Sequence, residues 1–386
     1  MKKICIATGT RAEWGLLRPL AQRLAATDGL TPLVVATNMH LDARFGHTVD
    51  EIIADGFTPA ATVPMNERGD TPADRVRAMA EALAGFGDVL SAMRPDMLVA
   101  LGDRYEMLAA AEAAAMLAIP VCHIAGGEIS EGAVDGAMRH AITKLSHLHL
   151  TATEEYRRRV IQLGEHPASV INVGAIGVAN FRSMNPMPLA DLEKSIGMPL
   201  AGRTTAVVTY HPATLDSRSH NELTAQMLEA LDSIEGLSMV ITYPNNDAGG
   251  AAAIPLLEEF AAARPENVRL IPSLGAHRYL SLLRYAALVV GNSSSGIVEV
   301  PSAGIPTVDI GIRQRGRLAA DSVLHCGTDA DAISAAIARA LTPEFREKAV
   351  KTINPYDGGD TAARMCEAIA DFLSRPVAPK KFYNLP

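Results

Sequence analysis

The chain has 386 residues, and this length favours two domains with separate cores. Its composition is 48% apolar but only 4% aromatic, which favours helices packed on parallel sheets over a β-sandwich. A formal net charge of -8 argues against nucleic-acid binding, because a duplex is bound by a basic face.

The cysteines and the amino terminus predict where the protein works. The cysteines are far apart without CxxC spacing, so we expect structural thiols in a reducing compartment: Cys5, Cys122, Cys326 and Cys366. The first apolar run ends at Gly9, which makes it too short for a signal-peptide core or a membrane span. We therefore expect a cytoplasmic protein without a membrane segment.

Apolar runs alternate with helical patterns in the first half of the chain. The runs predict buried parallel strands, and they cover residues 3–8, 31–37, 96–103, 120–127 and 148–153. Between the first two runs, Leu16, Leu20 and Leu24 lie on one face of a predicted helix. This alternation predicts a doubly wound α/β sheet.

The same alternation restarts after Arg203 and predicts a second α/β domain. Its expected strands cover residues 204–212, 237–244, 267–273, 286–296 and 305–311. Residues 171–189 carry glycines and prolines with little periodicity, as a linker does, so we place the domain boundary near Val173. Two such domains predict a ligand cleft between their strand ends.

The residues directly after the first strand form one candidate site, since doubly wound sheets bind ligands beyond the carboxyl ends of their strands. Gly9 and Thr10 could bring backbone N–H groups to an anion at a helix N-terminus, and Arg11 could bind phosphate through its guanidinium. The alternative, that Thr10 only caps the helix and Arg11 faces solvent, is equally consistent with this stretch.

A second candidate site follows the strand predicted near residue 290. Ser293 and Ser294 offer hydroxyl and N–H groups to a phosphate, and Glu299 lies further along the helix. A helix with redundant caps and with Glu299 in water would explain the same stretch. No GxGxxG, GxxxxGK[ST] or HExxH motif occurs, so dinucleotide, P-loop and zinc-protease sites lack their usual support.

Residues 123–150 hold the densest group of candidate side chains. Glu128, Asp135 and Arg139 lie in one loop and the first turns of a helix, and Asp135 and Arg139 form an i, i+4 pair that could also be a weak surface salt bridge. The nearby histidines lack a ligand pattern, so we expect structural roles and no metal site: His123, His140, His147 and His149.

A family resemblance rests on blocks that follow one another along the chain: GTRAEWGLLRPL, LGDRYE, HIAGGE with VDGAMRHAITKLSHLHLTATEEYRRRVIQLGE, TYHPATLD, GNSSSGIVEV, GIRQRGR and NPYDGGD. Together they resemble the UDP-N-acetylglucosamine 2-epimerase family. They look closest to its hydrolysing branch, which makes N-acetylmannosamine for bacterial sialic acid synthesis.

The resemblance implies two Rossmann-like doubly wound α/β domains of the glycosyltransferase-B, or phosphorylase, type with an interdomain cleft. Residues 1–172 would face the sugar, residues 173–355 would bind the nucleotide, and residues 356–386 would form a C-terminal helix that crosses back to the N-terminal domain. The implied partner is a nucleotide sugar, UDP-N-acetylglucosamine first, and the implied assembly is a homodimer or homotetramer.

The implied reaction removes the C2 proton of the sugar and expels UDP from C1 to give 2-acetamidoglucal, after which water adds and N-acetylmannosamine leaves. No metal or other cofactor is implied. The expected catalytic residues are Asp103, Glu128, Asp135, His211, Arg11 and Arg139. The expected nucleotide-binding residues are Asn245, Ser293, Ser294, Glu299, Arg313, Gly9 and Thr10.

Ala125 departs from the pattern of several family members, which have an acidic residue at this position. Alanine cannot transfer a proton, although members of the bacterial hydrolysing branch also lack an acid there. We hypothesise that Glu128 takes over this role, because the Gly126–Gly127 turn could bring its carboxylate toward the sugar.

Other functions share the same features. A glycosyltransferase has the same fold but needs an acceptor, a non-hydrolysing epimerase returns UDP-N-acetylmannosamine, and a sensor binds without catalysis. Within the hydrolysing branch, GDP-N-acetylglucosamine and UDP-diacetamidobacillosamine, the latter in a legionaminic acid pathway, are alternative substrates. Fold-level resemblance does not determine the base or the C4 substituent.

Overall fold

The computed structural model describes residues 1–43, 46–65, 71–129, 135–211, 218–244 and 250–385. The chain divides into two units. Unit 1 comprises Met1–Glu128, Asp135–Asn180 and Tyr356–Pro386, and unit 2 comprises Ile129–Val134 and Phe181–Pro355.

Strands and helices alternate along the first part of the chain, as the apolar pattern predicts. The elements in chain order are β1 (Lys2–Thr8), α1 (Arg11–Ala25), β2 (Leu30–Thr37), α2 (Val49–Ala54), β3 (Ala61–Val63), α3 (Pro72–Met93), β4 (Met97–Leu101), α4 (Tyr105–Met116), β5 (Val121–Ile124), α5 (Asp135–Leu145), β6 (Leu148–Thr151), α6 (Glu154–Gln162), β7 (Val170–Asn172) and α7 (Ile176–Ser183).

The described strands of unit 1 form a parallel sheet in the order β3-β2-β1-β4-β5-β6-β7. Successive side chains of a strand point to opposite faces, so Ile4 and Ile6 enter one apolar core while Cys5 and Ala7 enter another. Because helices cover both faces, the strands are apolar throughout. The order reverses between β1 and β4, and the carboxyl ends of such a pair are where doubly wound sheets bind ligands.

Unit 2 repeats this plan. Its elements in chain order are α8 (Leu189–Ile196), β8 (Thr204–Thr209), α9 (His220–Asp232), β9 (Leu237–Thr242), α10 (Ile254–Ala262), β10 (Val268–Ile271), α11 (Gly275–Leu282), β11 (Leu288–Gly291), α12 (Ser294–Val298), α13 (Val300–Ala303), β12 (Thr307–Ile310), β13 (Val323–Cys326), α14 (Ala330–Ala340) and α15 (Pro343–Lys351). The described strands form a parallel sheet in the order β10-β9-β8-β11-β12-β13, which reverses between β8 and β11.

The final segment returns to unit 1, where α16 (Thr361–Leu373) buries Met365 and Ile369 in the core that also holds α1 side chains. The segment before α16 is held by Tyr356, whose hydroxyl lies 2.6 Å from that of Tyr156 and whose carbonyl accepts from the Ala175 N–H at 2.8 Å. Gly358 packs directly on the backbone of Val173, where a Cβ would overlap the carbonyl oxygen.

The chain's only tryptophan, Trp14, is a buried residue of helix α1. Trp14 is 2% exposed, packs edge-on against Phe57 with ring centroids 5.4 Å apart, and donates from Nε1 to Asp55 Oδ2 at 2.8 Å. It therefore anchors α1 to the segment after α2, and this role is structural.

Short elements differ from the sequence-based expectations. The expected linker at 171–189 contains a helix, α7, and the boundary between the units falls within it, between Asn180 and Phe181. Strands β3, β7 and β13 were not predicted, because runs of three or four residues carry little periodicity.

The cysteines and the helices complete the description of the fold. Cys5, Cys122 and Cys366 are buried free thiols, Cys326 is a partly exposed one, and burial raises the pKa of the Cys5 thiol to about 12. Among the described residues, every helix is too short or too polar to span a bilayer.

Gly358→Ala tests how the final segment attaches to unit 1. The added Cβ would overlap the Val173 carbonyl, so we expect the free energy of unfolding in urea to fall by about 2 kcal/mol or more. Gly359→Ala is the matched control, because that glycine has a φ of 72° and open space around it, and alanine there should cost about 1 kcal/mol of backbone strain. Equal losses for the two variants would contradict the packing argument.

Candidate active site

The carboxyl ends of β4 and β5 bring several expected catalytic residues of unit 1 together. Asp103 follows β4 after Gly102, whose φ of 77° lies in the left-handed region that glycine adopts at little cost. Glu128 follows β5, and its side chain is 9% exposed. Helix α5 begins at Asp135 and carries Arg139 one turn later.

The Arg139 guanidinium connects two of these carboxylates. Its Nη2 donates to Asp103 Oδ2, and its Nη1 lies 3.5 Å from Glu128 Oε2 and donates to the Ala125 carbonyl at 2.7 Å. The Arg139 side chain is only 3% exposed. Arg139 is therefore a buried bridge between Asp103 and Glu128 and not one half of a surface salt bridge.

Ala125 occupies the turn between β5 and Glu128 in a strained conformation. Its φ of 63° is uncommon for a residue with a Cβ atom and costs about 1 kcal/mol or more. Its N–H donates to the Leu150 carbonyl at 2.9 Å, and its own carbonyl accepts from Arg139. The turn is thus held at both polar groups of the strained residue.

His123 supports the turn before Asp103 from within the protein. Its Nε2 lies 2.7 Å from the Gly102 carbonyl and its Nδ1 lies 3.0 Å from the Thr143 hydroxyl. Burial lowers the pKa of His123 to about 3, so the ring is neutral near neutral pH. Since a carbonyl only accepts, Nε2 carries the proton, and Nδ1 is the acceptor nitrogen that faces the Thr143 hydroxyl on α5, which also lies 3.0 Å from the Arg139 carbonyl. This agrees with the structural role expected for His123.

The Gly9–Thr10 loop differs from the phosphate site that we expected. Thr10 caps α1 by accepting from the Glu13 N–H at 3.2 Å. The Glu13 carboxylate in turn accepts from the N–H groups of Gly9 at 2.7 Å and Thr10 at 3.0 Å. These N–H groups are therefore bound to an internal carboxylate, and the capping alternative describes the loop correctly.

Two buried acidic side chains, Glu13 and Glu106, lie beside Gly9, and the sequence analysis assigns neither of them to a site. A Cβ at Gly9 would lie 2.5 Å from Glu106 Oε1, so any larger residue there would displace the Glu106 carboxylate. Glu106 is fully buried and accepts from Arg104 Nε at 2.5 Å and Asn38 Nδ2 at 3.0 Å. Burial, followed by the negative charge of Glu106, raises the pKa of Glu13 to about 7.

Arg11 lies at the surface end of the same loop. Its side chain is 40% exposed, and Nη1 lies 3.5 Å from Glu51 Oε1 on α2. Arg11 is the first residue of α1 and points to the surface, whereas the N–H groups of Gly9 and Thr10 bind the buried Glu13 carboxylate.

In unit 2, the carboxyl ends of β8 and β11 are joined through Asn292. The Asn292 side chain accepts from the His211 N–H at 2.7 Å and donates to the His211 carbonyl at 2.9 Å. Its carbonyl accepts from Gln314 Nε2 at 2.8 Å. Asn292 is 1% exposed, so it determines the main-chain position of His211. In the sequence, the only feature that points to Asn292 is its position directly before the serines.

The serines after β11 begin a short helix. Ser293 is the N-cap of α12, Ser294 is the first helical residue and exposed, and Ser295 accepts from the Tyr279 hydroxyl at 2.9 Å. Glu299 lies at the junction of α12 and α13 and is partly exposed. Ser293 and Ser294 thus lie at the switch point of the unit 2 sheet.

Arg313 lies in the loop after β12, close to a buried acid. The Asp309 carboxylate of β12 is 1% exposed and lies 2.8 Å from His325 Nδ1. Burial raises the pKa of Asp309 against the opposing effects of His325, Arg317 and Arg313. The positive side chains of this loop are therefore arranged around an internal negative charge.

The remaining expectations concern Asn245, Asp135 and metal binding. Asn245 and the side chain of Asp135 lie outside the described residues. Within the part of the chain that the structure describes, no three side chains of His, Cys, Asp or Glu converge as a metal ion would require.

Comparison with known proteins gives consistent matches along the chain. The family model for UDP-N-acetylglucosamine 2-epimerase matches residues 22–370. The GDP/UDP-N,N'-diacetylbacillosamine 2-epimerase (hydrolyzing) of Campylobacter jejuni is 35% identical over 90% of this chain and 89% of its own. Polysialic acid biosynthesis protein P7 of Escherichia coli is 35% identical over 100% and 98%. A UDP-N-acetylglucosamine 2-epimerase of Neisseria meningitidis serogroup B is 31% identical over 100% of both chains.

A solved structure shows the same fold. The UDP-GlcNAc 2-epimerase of Methanocaldococcus jannaschii, in complex with UDP-GlcNAc and UDP, is 18% identical, with a TM-score of 0.74 over 96% of this chain and 99% of its own. The fold is therefore of the two-domain Rossmann-like, glycosyltransferase-B type.

Glu13→Gln tests the buried acid pair through the pH dependence of stability. Because the pKa of Glu13 rises from 4.5 to about 7 on folding, its contribution to stability is complete below 4.5 and is lost as the pH rises through about 7. Urea unfolding at about pH 5 and about pH 8 should show that the variant gains stability relative to the parent at the higher pH.

Glu222→Gln is the matched control, since Ser219 and Glu222 form the same capping box on α9 at an exposed position. Hydrogen bonds from Ser219 lower the pKa of Glu222, so its contribution to stability is present above the unfolded pKa of 4.5 and is lost only at lower pH. The control should show little change between the two conditions. A parallel response of the two variants would contradict the raised pKa of Glu13.

Proposed function

We propose that this chain, which belongs to the UDP-N-acetylglucosamine 2-epimerase family and to its hydrolysing branch, converts UDP-N-acetylglucosamine to N-acetylmannosamine and UDP. As a member of that branch it is an enzyme that acts on nucleotide sugars. The observation that most directly supports the proposal is the buried Arg139 that joins the carboxylates of Asp103 and Glu128 at the carboxyl end of a Rossmann-like sheet.

The first half of the proposed reaction is an elimination. A carboxylate takes the C2 proton, the C1–O bond breaks with its electron pair on the departing UDP, and a C1–C2 double bond forms in 2-acetamidoglucal. Asp103 and Asp135 are the proposed proton-transfer residues. Arg139 orients the Asp103 carboxylate, because its planar donors hold one carboxylate oxygen in place.

The second half of the proposed reaction is a hydration. Water supplies a hydroxyl to C1, and a proton reaches C2 from the opposite face, which inverts that carbon. This step needs a proton donor, which Ala125 is unable to be. Glu128 is the proposed donor, because it directly follows the strained turn at Ala125: as the carboxylic acid it gives its proton to C2, and the resulting carboxylate recovers a proton from the water that adds to C1.

The nucleotide contacts are proposed for unit 2. Ser293 and Ser294 would bind phosphate oxygens, and Glu299 would bind the ribose hydroxyls. Positive or donor groups would stabilise the charge that develops on the leaving diphosphate; the candidates are His211, Arg313 and Asn245 in unit 2, together with Arg11 in unit 1. The pair of hydrogen bonds between Asn292 and the His211 backbone supports this assignment, because it holds His211 beside the serines of the β11 loop.

The names of similar proteins favour a second substrate. The Campylobacter relative, at 35% identity, is named for a diacetylbacillosamine linked to GDP or UDP. The elimination and hydration involve C1 and C2 only, so the same carboxylates would serve a sugar with an acetamido group at C4. The alternative proposal is therefore UDP-diacetamidobacillosamine, or a GDP-linked sugar, with the same chemistry and a different sugar contact.

Proton NMR in deuterated water tests the reaction and names the substrate. The protein is incubated separately with UDP-N-acetylglucosamine, its GDP analogue and the UDP-diacetamido sugar, without acceptor or metal. We expect free sugar of the manno configuration with deuterium at C2, together with released nucleotide. A deuterated sugar still attached to UDP would indicate a non-hydrolysing epimerase, and no turnover without an acceptor would favour a glycosyltransferase.

Glu128→Gln tests the proposed proton donor. The amide keeps the size of the side chain but does not transfer a proton, so kcat should fall about 100-fold or more. Glu155→Gln, which removes an exposed partner of Arg159 on α6, is the control and should leave kcat unchanged. Unchanged turnover by the folded Glu128→Gln variant would remove Glu128 from the mechanism.

A further inference from the structure

Lys380 lies in the C-terminal tail, residues 376–385, and binds the end of helix α5. Its Nζ donates to the carbonyls of Lys144 and Ser146 at 2.6 Å each and approaches that of Thr143 at 3.4 Å. The Lys144 carbonyl is one of those that the end of a helix leaves without an intrahelical partner, and Ser146 directly follows the helix, so a cation there also complements the helix dipole. Lys380 therefore caps α5 from a segment more than two hundred residues away in sequence.

A buried acid reinforces this cap. Glu165 is 2% exposed, and its carboxylate lies 2.9 Å from Lys380 Nζ, 2.5 Å from Lys144 Nζ and 3.0 Å from His149 Nε2. Burial opposes ionisation of Glu165, but the hydrogen bonds from His149, Lys144 and Lys380 outweigh it and lower the pKa to about 2. The Glu165 carboxylate thus forms ion pairs both with Lys380 of the tail and with Lys144 of α5.

Aromatic contacts give the tail a defined position. Phe382 packs on Gly164, where a Cβ would overlap the ring, and the Lys144 ammonium lies 5.0 Å from the ring centroid. Tyr383 donates its N–H to the Gly164 carbonyl at 2.9 Å, and its ring meets that of His166 edge-on at 5.3 Å. The two residues that hold the tail in this way, Phe382 and Tyr383, follow Lys380 closely in sequence and fix the position of its segment.

Helix α5 transmits this position to the candidate catalytic residues. Arg139, on α5, donates to Asp103. Thr143, whose carbonyl faces Lys380, contacts His123, and His123 supports the Gly102 carbonyl directly before Asp103. Two separate connections thus lead from α5 to Asp103, one through Arg139 and one through His123.

We propose that Lys380 is a positioning residue for the reaction: by capping α5 it holds Arg139 and His123, and through them the Asp103 carboxylate, in the geometry that proton transfer requires. The part of this inference that concerns proton transfer rests on the proposed function. The part that concerns attachment of the tail to α5 rests only on the contacts described above. Small displacements of a catalytic group reduce the rate strongly while substrate binding is kept.

Lys380→Met is the variant that tests the proposal, with Lys381→Met as the matched control. Methionine keeps most of the length of the side chain but has no charge and no donor, while Lys381 is the exposed neighbour. We expect kcat of Lys380→Met to fall about tenfold. Its affinity for UDP should stay the same, because the nucleotide contacts are assigned to unit 2. Lys380→Arg, which keeps charge and donors, should recover part of the lost rate.

Hydrogen exchange of the peptide covering α5, measured on the full chain without substrate, provides the second readout. Amides of residues 135–145 should exchange faster in Lys380→Met than in the parent and in Lys381→Met. Unchanged exchange, or a kcat equal to that of the control, would overturn the proposal, as would a parallel loss of UDP binding and rate. A parent protein without turnover would overturn the proposed function alone, because exchange still decides whether Lys380 holds α5.

Discussion

The burial of the Arg139 guanidinium constrains the part of the candidate active site that lies in unit 1. A buried charge is stable only if it is paired and hydrogen-bonded, and loss of one partner of such a pair typically costs about 3–5 kcal/mol. Arg139 meets this requirement with Asp103, Glu128 and the carbonyl of Ala125. The ends of β4 and β5 must therefore present their carboxylates and one carbonyl to α5, and the strained φ at Ala125 is part of this arrangement.

The second requirement is that α5 itself stays in place. Its C-terminal end is capped by Lys380 and paired with Glu165, and its last turn also contacts His123 through Thr143. These contacts come from the C-terminal tail, the loop after α6 and strand β5. Residues that are far apart in the chain thus determine the geometry of a single carboxylate, which explains why the last residues belong to the same unit as the first.

The two units use different groups to hold the loops that follow their strands. In unit 1, the loop after β1 binds the internal carboxylate of Glu13, so its N–H groups are occupied. In unit 2, the uncharged amide of Asn292 joins the loops after β8 and β11. This contrast agrees with the proposed division of roles, in which unit 1 transfers protons and the serines of unit 2 bind phosphate.

The sequence by itself determined the fold class, because strands buried on both faces must be apolar and the helices between them must carry an apolar stripe. It also pointed to the loops that hold Asp103, Glu128, Arg139, His211 and the serines, since such sheets bind ligands after their strands. Only the tertiary structure decided which partners these side chains have. No periodicity links Glu106 to Gly9 or Lys380 to α5, and no sequence pattern shows that the Glu13 carboxylate occupies the N–H group of Gly9. Pairing in space depends on packing between distant segments, and periodicity reports only on neighbours along one element.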